Sequence, residues 1–383
     1  MKAMILAAGK CTRMRPITFS VPKPMMPVLG RPVIETVIDQ LSRSGVRQIM
    51  INTSDHPVHI QGGLGDGHRF GVQLCYSFEG TKSKDGFLPT PIGSAGGIRQ
   101  IQEFSKFFDV TFAVVCGDAI IDLDFSKALD FHRKHHALAT VVLHDVARDE
   151  VSKYGVVKLG ADGRVAQFQE KPKIQDAISC VANSGIYIFE PKVIDYIPHG
   201  VAYDIGSQLL PDLVSRGERL YGYKADFNWI TVGELRDYHV CLTRLLKNPP
   251  PNFAKPGNEV LPGVFVGVGL AVDFSKIHVE GPVYIGSGTC IEPGARLIGP
   301  TAIGANCHIE ASATIERSFI DDYKRVKVGA RITDQVVFGS NIIHIDGTYE
   351  KIAHGKWALK LADVRESSVL GNHSIDSLLT TAG

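Results

Sequence analysis

The chain has 383 residues, with 41 Lys plus Arg against 40 Asp plus Glu. That length suits two or three domains, and the charge balance supplies no basic field for nucleic acid. No run approaches the ~18 apolar residues of a membrane helix, and the apolar start at Met1 is too short for a signal peptide. The seven cysteines are odd in number, scattered and never in C-x-x-C pairs. They argue against a disulfide framework or a zinc site, and for a reducing cytoplasm.

In chain order, strand-length runs of β-branched and apolar residues occur at Lys2–Ala8, Arg47–Asn52, Val72–Phe78, Thr111–Cys116, Ala137–His144, Ala182–Phe189 and Arg219–Tyr223. Helical periodicity is clearest at Val33–Ser44, Ile98–Phe107, Phe125–His135, Ile205–Arg216 and Gly233–Lys247. Strands spaced by helices predict an α/β domain over 1–247, a mainly parallel sheet covered on both faces with ligands at the carboxyl ends of its strands. The segment 248–258 carries three consecutive prolines and reads as a linker.

Beyond it the period changes. Val279, Ile285, Ile291, Leu297, Ile303, Ile309 and Ile315 recur at a spacing of six, the register of a hexapeptide-repeat parallel β-helix. This predicts a second domain over 259–345. The phase breaks after Phe319, where Asp321–Arg325 is expected to be a loop, and weaker repeats resume around Val328–Phe338. The tail, 346–383, has no clear period. An open coil end exposes strand edges, so a homo-oligomer through the β-helix is expected.

The first strand runs into Leu6-Ala-Ala-Gly9-Lys-Cys-Thr-Arg13, followed by Pro22-Lys23-Pro24. A glycine turn at a strand end, with cations beside it, suits a loop whose backbone N–H groups cradle phosphates; a surface turn with two solvated cations is the competing reading. With Gly93-Ser-Ala-Gly-Gly97, Gly117-Asp118, Tyr154-Gly-Val156, Phe168-Gln-Glu-Lys-Pro172, Asn183-Ser-Gly-Ile-Tyr187 and Trp229-Ile-Thr-Val-Gly233 in the same order, the chain resembles the nucleotide-sugar pyrophosphorylases (sugar-1-phosphate nucleotidyltransferases), nearest the mannose-1-phosphate guanylyltransferase type. The resemblance covers about residues 1–345.

It implies a Rossmann-like catalytic domain followed by a left-handed β-helix, and transfer of a nucleotide from a nucleoside triphosphate to a sugar 1-phosphate with release of pyrophosphate. On matching positions, Arg13, Lys23 and Lys171 would be catalytic cations, with Lys171 on the sugar 1-phosphate. Leu6, Ala8, Gly9, Gly93, Ser94, Gly96 and Gly117 would bind the nucleotide. Gly155, Glu170 and Asn183 would line the sugar site, and Asp118 would hold Mg²⁺. GDP-mannose and UDP-glucose are both open as products.

Two positions depart from the pattern. Cys11 replaces the second loop glycine; if the backbone there has positive φ, the side chain costs about 1–2 kcal/mol. Thr231 replaces the aspartate that would be the other metal ligand, leaving one carboxylate, a number Mg²⁺ accepts when phosphates complete its shell. These departures leave room for a catalytically weak regulatory homologue that pairs with an active pyrophosphorylase. Thr90-Pro91-Ile92 also lacks the acidic residue that guanylyltransferases tend to carry there. The His132, His135 and His136 set is expected to be a solvated helix face, and His278 and His308 to be structural.

Overall fold

Alternation within the first strand decides the two faces of the sheet. In β1 (Lys2–Ala7), Ala3, Ile5 and Ala7 point to one side and Met4 to the other. The computed structural model describes residues 1–84, 86–353 and 355–366; of the expected tail, 354 and 367–383 lie outside the described residues. The chain forms two compact units. The first comprises 1–12, 18–26 and 32–231; the second comprises 13–17, 27–31 and 232 onwards.

In the first unit, β2 (Gln48–Thr53), β3 (Gln73–Phe78) and β6 (Phe112–Cys116) run parallel with β1 in the order β6-β1-β2-β3. Between β3 and β6, the antiparallel hairpin of β4 (Gly80–Ser83) and β5 (Gly86–Pro89) is followed by helix α2 (Ser94–Ser105). Helix α1 (Val33–Arg43) buries Ile34, Val37, Ile38 and Leu41, the i, i+3, i+4, i+7 stripe that its sequence supplies, against the Ala3/Ile5/Ala7 face. The opposite face packs Met4 with Ile98 and Ile101 of α2, so the sheet is covered on both sides. Strand β11 (Val181–Phe189) adds to β6 antiparallel and makes the sheet mixed. Beyond it lie β8 (Ala139–Asp145), paired with β12 (Leu220–Lys224), and the β9 (Val156–Leu159)/β10 (Val165–Gln169) ribbon. A separate two-stranded ladder joins β7 (Ala119–Ile121) to β13 (Trp229–Thr231). The helix expected at Ile205–Arg216 begins as a π-helical turn, Ile205–Leu209, before continuing as α4 (Leu210–Ser215).

Helix α3 (Phe125–Lys134) corrects the expectation of a solvated histidine face. His132 is 1% exposed, with Nδ1 at 2.8 Å from the Thr140 hydroxyl and Nε2 at 3.2 Å from Glu190. His135 lies against the rings of Phe131 and Tyr221. Of residues 132–136, only Arg133, Lys134 and His136 are exposed, because the helix turns its other stripe onto the sheet.

In the second unit, helix α5 (Leu235–Lys247) precedes three stacks of short parallel strands. One coil takes eighteen residues, three hexapeptides, as in the pairing of Val283 with Thr301 and of Cys290 with His308. The next coil takes seventeen, pairing Phe319 with Val336 and Thr314 with Arg331. The lost residue explains the phase break. Corners that are Gly281-Pro282 and Gly299-Pro300 in early coils become Arg317 and Asp334, each at positive φ, joined by a two-pronged ion pair of 2.7 and 2.8 Å. Core aliphatics continue through Ile320, Val326, Ile332 and Val337. The loop expected at Asp321–Arg325 is therefore a corner running into the strand Lys324–Val326.

At the C-terminal end of the coil the chain covers its own edges. Asn341–His344 folds back antiparallel on Gln335–Phe338, Tyr349–Lys351 follows, and Leu361–Asp363 pairs antiparallel with Lys324–Val326. Trp357 is buried in the coil core and donates to Glu350 at 2.9 Å. Periodicity did not reveal this cap, because antiparallel closing strands leave the hexapeptide register.

Candidate active site

Positions just beyond the carboxyl ends of β1, β2, β3 and β6 bring the chemistry of the first unit together. After β1, Ala8 is buried and Gly9 exposed. Cys11 has φ +46°, so this loop does adopt the conformation a glycine would take freely. Its thiol donates to the Gly9 carbonyl at 3.3 Å, and its carbonyl accepts from the Thr18 hydroxyl at 3.1 Å. Gly117 closes β6 with its N–H on the Leu6 carbonyl; a Cβ there would stand 2.9 Å from Ile5 and 3.1 Å from that carbonyl.

Lys23 is 8% exposed and its ammonium is ion-paired with Asp118 Oδ2. Burial works to lower the Lys23 pKa, but the Asp118 carboxylate, by charge and hydrogen bond, outweighs it and holds the lysine above its usual range. Arg13, in the turn Thr12–Met14, groups with the second unit and pairs with Glu234 at 3.5 Å. Asp118 immediately precedes β7, where Ala119 pairs with Thr231. Thr231 thus lies across the ladder from Ala119, with its hydroxyl 3.5 Å from the Tyr154 hydroxyl.

A second cluster gathers the sugar-site candidates. Lys171, at φ +42°, reaches the Glu170 carboxylate at 3.1 Å, and its backbone N–H bonds to the Tyr154 carbonyl. Gly155 accepts from the Asn183 N–H at 2.8 Å, and a Cβ on it would meet Phe168 at 2.6 Å and Glu170 at 2.8 Å. The Asn183 amide donates to Tyr187 at 2.8 Å and its oxygen accepts from the Gly185 N–H at 2.9 Å.

The third cluster surrounds Gly93, at φ +80°, where a Cβ would strike the Tyr203 carbonyl at 2.5 Å. That carbonyl accepts from the N–H groups of Ala95 and Gly96, so the start of α2 is held by Tyr203. Ser94 donates to Asp204 at 2.7 Å and accepts from the Ile205 N–H at 2.8 Å.

Sequence reasoning missed three side chains here. Asn52, 2% exposed at the end of β2, accepts from the Ala7 N–H at 2.9 Å and donates to Glu79 at 2.7 Å. Glu79, equally buried just after β3, accepts from the Ile92 N–H at 3.1 Å. Burial raises the Glu79 pKa, against the lowering by those two hydrogen bonds. The segment before Gly93 thus has an acidic residue beside it, separated in sequence by the β4–β5 hairpin. Asp204 is the third; burial would raise its pKa, but bonds from Ser207, Ser94 and Gly206 outweigh that and lower it. The signal for Asn52 and Glu79 was their place at the ends of parallel strands.

For a divalent cation, no group of three or more His, Cys, Asp or Glu forms a cage among the described residues. Asp118 offers one carboxylate, and Thr231, on the strand paired with the one that follows it, a neutral oxygen. That hard-oxygen set fits Mg²⁺ bound largely through substrate phosphates and water. The histidines of the coil are paired instead: His278 with Glu280 at 2.6 Å and His308 with Glu292 at 2.7 Å.

Residues 2–248 match the family model described as nucleotidyl transferase, and 282–317 that described as bacterial transferase hexapeptide (six repeats). The chain is 45% identical to a UTP–glucose-1-phosphate uridylyltransferase of Synechocystis, over 96% of this chain and 95% of that protein. It is 32% identical to a mannose-1-phosphate guanylyltransferase of Mycobacterium tuberculosis, over 86% and 82%. A solved Bacillus anthracis structure, assigned as a glucose-1-phosphate thymidylyltransferase and containing sucrose, shares the fold at TM-score 0.53 and 24% identity; the match covers 63% of this chain and 94% of that one.

Proposed function

Since the chain belongs to the sugar-1-phosphate nucleotidyltransferase family, we propose that it transfers uridylate from UTP to glucose 1-phosphate and releases pyrophosphate. The observation that carries this reading is the buried Lys23, charged and paired with Asp118 beside the glycine loop that ends β1. A buried cation at the carboxyl edge of a parallel sheet suits a polyanion. The choice of UTP and glucose follows the relative at 45% identity over those near 32%.

The sugar phosphate is largely a dianion at pH 7, its second pKa being about 6, so its oxygen attacks without a general base. Catalysis then consists of aligning two repelling polyanions and stabilising the charge that moves to the leaving pyrophosphate. Lys23 takes the triphosphate, and the N–H groups around Gly9 lie along it. Lys171 takes the sugar 1-phosphate, while Glu170 accepts from sugar hydroxyls above the floor that Gly155 leaves open. Asn52 and Glu79 tie the strand end at Ala7 to the segment at Ile92 and hold the nucleotide's two walls in register. Mg²⁺, which Asp118 would hold, would neutralise phosphate charge when bound.

The seven cysteines, none in a disulfide among the described residues, suit a cytoplasmic enzyme. No helix of the described residues is long and apolar enough to cross a membrane. For self-association, one open strand edge is Asn258–Leu261, exposed throughout.

Pyrophosphate release from purified protein with Mg²⁺, four nucleoside triphosphates and several sugar 1-phosphates tests this. UTP with glucose 1-phosphate is expected to be fastest. A faster GTP and mannose 1-phosphate pair would overturn the substrate choice, and no turnover with any pair would overturn the activity.

A further inference from the structure

Asp118 is the carboxylate assigned to the metal at this site, and its Oδ2 is bound by the ammonium of Lys23. The lysine is nine-tenths buried and the aspartate only one-third exposed, so water screens this pair weakly. Thr231, where the family pattern has a second carboxylate, is uncharged and pairs with Ala119, the residue after Asp118. Asp118 and Lys23 together therefore contribute no net charge to a divalent cation.

We propose that Lys23 and Asp118 form a counter-ion latch, which withholds Asp118 from the divalent cation until a polyphosphate draws Lys23 away. The proposal rests on the polyphosphate role given to Lys23 above. The triphosphate offers the ammonium several anionic oxygens in place of one, and its own charge then favours the metal beside Asp118. Binding is reciprocal by linkage: the nucleotide opens the metal position, and the metal holds the nucleotide. Thr231 makes the latch effective. With a carboxylate in its place, the free site would keep a net negative charge and retain metal without nucleotide.

The test uses the full chain, Mn²⁺ as the probe and electron paramagnetic resonance of free Mn²⁺ as the readout, with no nucleotide present. Wild type is expected to remove no Mn²⁺ from solution through the millimolar range. Lys23→Met is expected to gain one site per chain, at least about tenfold tighter than any in wild type, from loss of an adjacent like charge. Lys23→Met/Asp118→Asn is expected to lose that site again. Lys23→Gln, which keeps the length and a neutral donor, serves if Lys23→Met does not fold, as judged by circular dichroism. A nucleotide-free wild type that binds one Mn²⁺ as tightly as the lysine variant overturns the latch. A folded lysine variant that gains no site also overturns it. Turnover is measured separately: an active enzyme that fails the Mn²⁺ test loses only the latch, whereas a protein inactive with every substrate pair loses the transferase reading.

Discussion

Replacing Asn52 with alanine removes one buried side chain and breaks two connections at once. The Ala7 N–H loses an acceptor at 2.9 Å, and the Glu79 carboxyl group loses a donor at 2.7 Å. Both lie where water does not readily replace them, since Asn52 and Glu79 are each 2% exposed. An orphaned buried donor costs about 1–3 kcal/mol, and a hydrogen bond to a charged group contributes about 1.5–3 kcal/mol. Partial relaxation makes a net destabilisation of about 3–4 kcal/mol the expected value. The loss has a pH dependence of known sign. Burial already raises the Glu79 pKa, so the stability linked to this group is greatest at low pH and falls as pH rises through its folded value. Asn52 is one of the groups holding that pKa down, so its removal raises it further. Asn52→Ala should therefore lose more stability relative to wild type at pH 8 than at pH 5. Urea unfolding at the two pH values, followed by fluorescence, measures this, and initial rates give the functional effect: KM for the nucleotide rising about tenfold, with kcat changed less. A loss within about 0.5 kcal/mol, equal at both pH values, would refute the bridge as a buried and energetically coupled unit.

Lys171→Ala should lower kcat/KM for the sugar 1-phosphate by about a hundredfold or more, as expected for removing a charge-assisted contact to a reacting phosphate; nucleotide binding measured by fluorescence titration should be unchanged. Gly155→Ala should raise KM for the sugar phosphate with a smaller effect on melting, because the new Cβ meets the Phe168 ring at 2.6 Å and Glu170 Oε2 at 2.8 Å. Equal kinetics would show that the strand tip yields freely. For His132, burial lowers the pKa despite Glu190 beside it. The unfolded chain then binds a proton near pH 6.5 that the folded chain refuses, so wild-type stability should fall as pH drops from 7 to 5. His132→Gln should flatten that part of the melting-temperature profile. A profile of unchanged slope would place the effect on other groups.

The sheet strands were readable from sequence because each is a short buried run bounded by polar turns. β1, β2, β3 and β11 stand within a residue or two of the segments that hydrophobicity marked. The coil was readable because six-residue spacing is imposed by the width of its faces. It stopped being readable at Arg317, where a corner lost one residue and the register slipped. His132 was misjudged because its neighbours in sequence are charged, whereas its neighbours in space are Thr140 and Glu190. Motif order located Lys23, Asp118, Glu170 and Lys171 along the chain. It was silent on Asn52 and Glu79, which carry no motif and act only as a bridge between strand ends.

Length, glycine placement, hydrophobic period and motif order thus determined the α/β sheet, the repeat coil and the family's chemistry. These follow from local sterics and from burial patterns written residue by residue. The tertiary structure alone decided which charges face one another: Lys23 on Asp118, Arg13 on Glu234, Glu79 on Asn52, and neutral Thr231 across from Ala119. Such pairings depend on contacts between residues as many as 95 and 221 positions apart, and no local pattern encodes the distance between them.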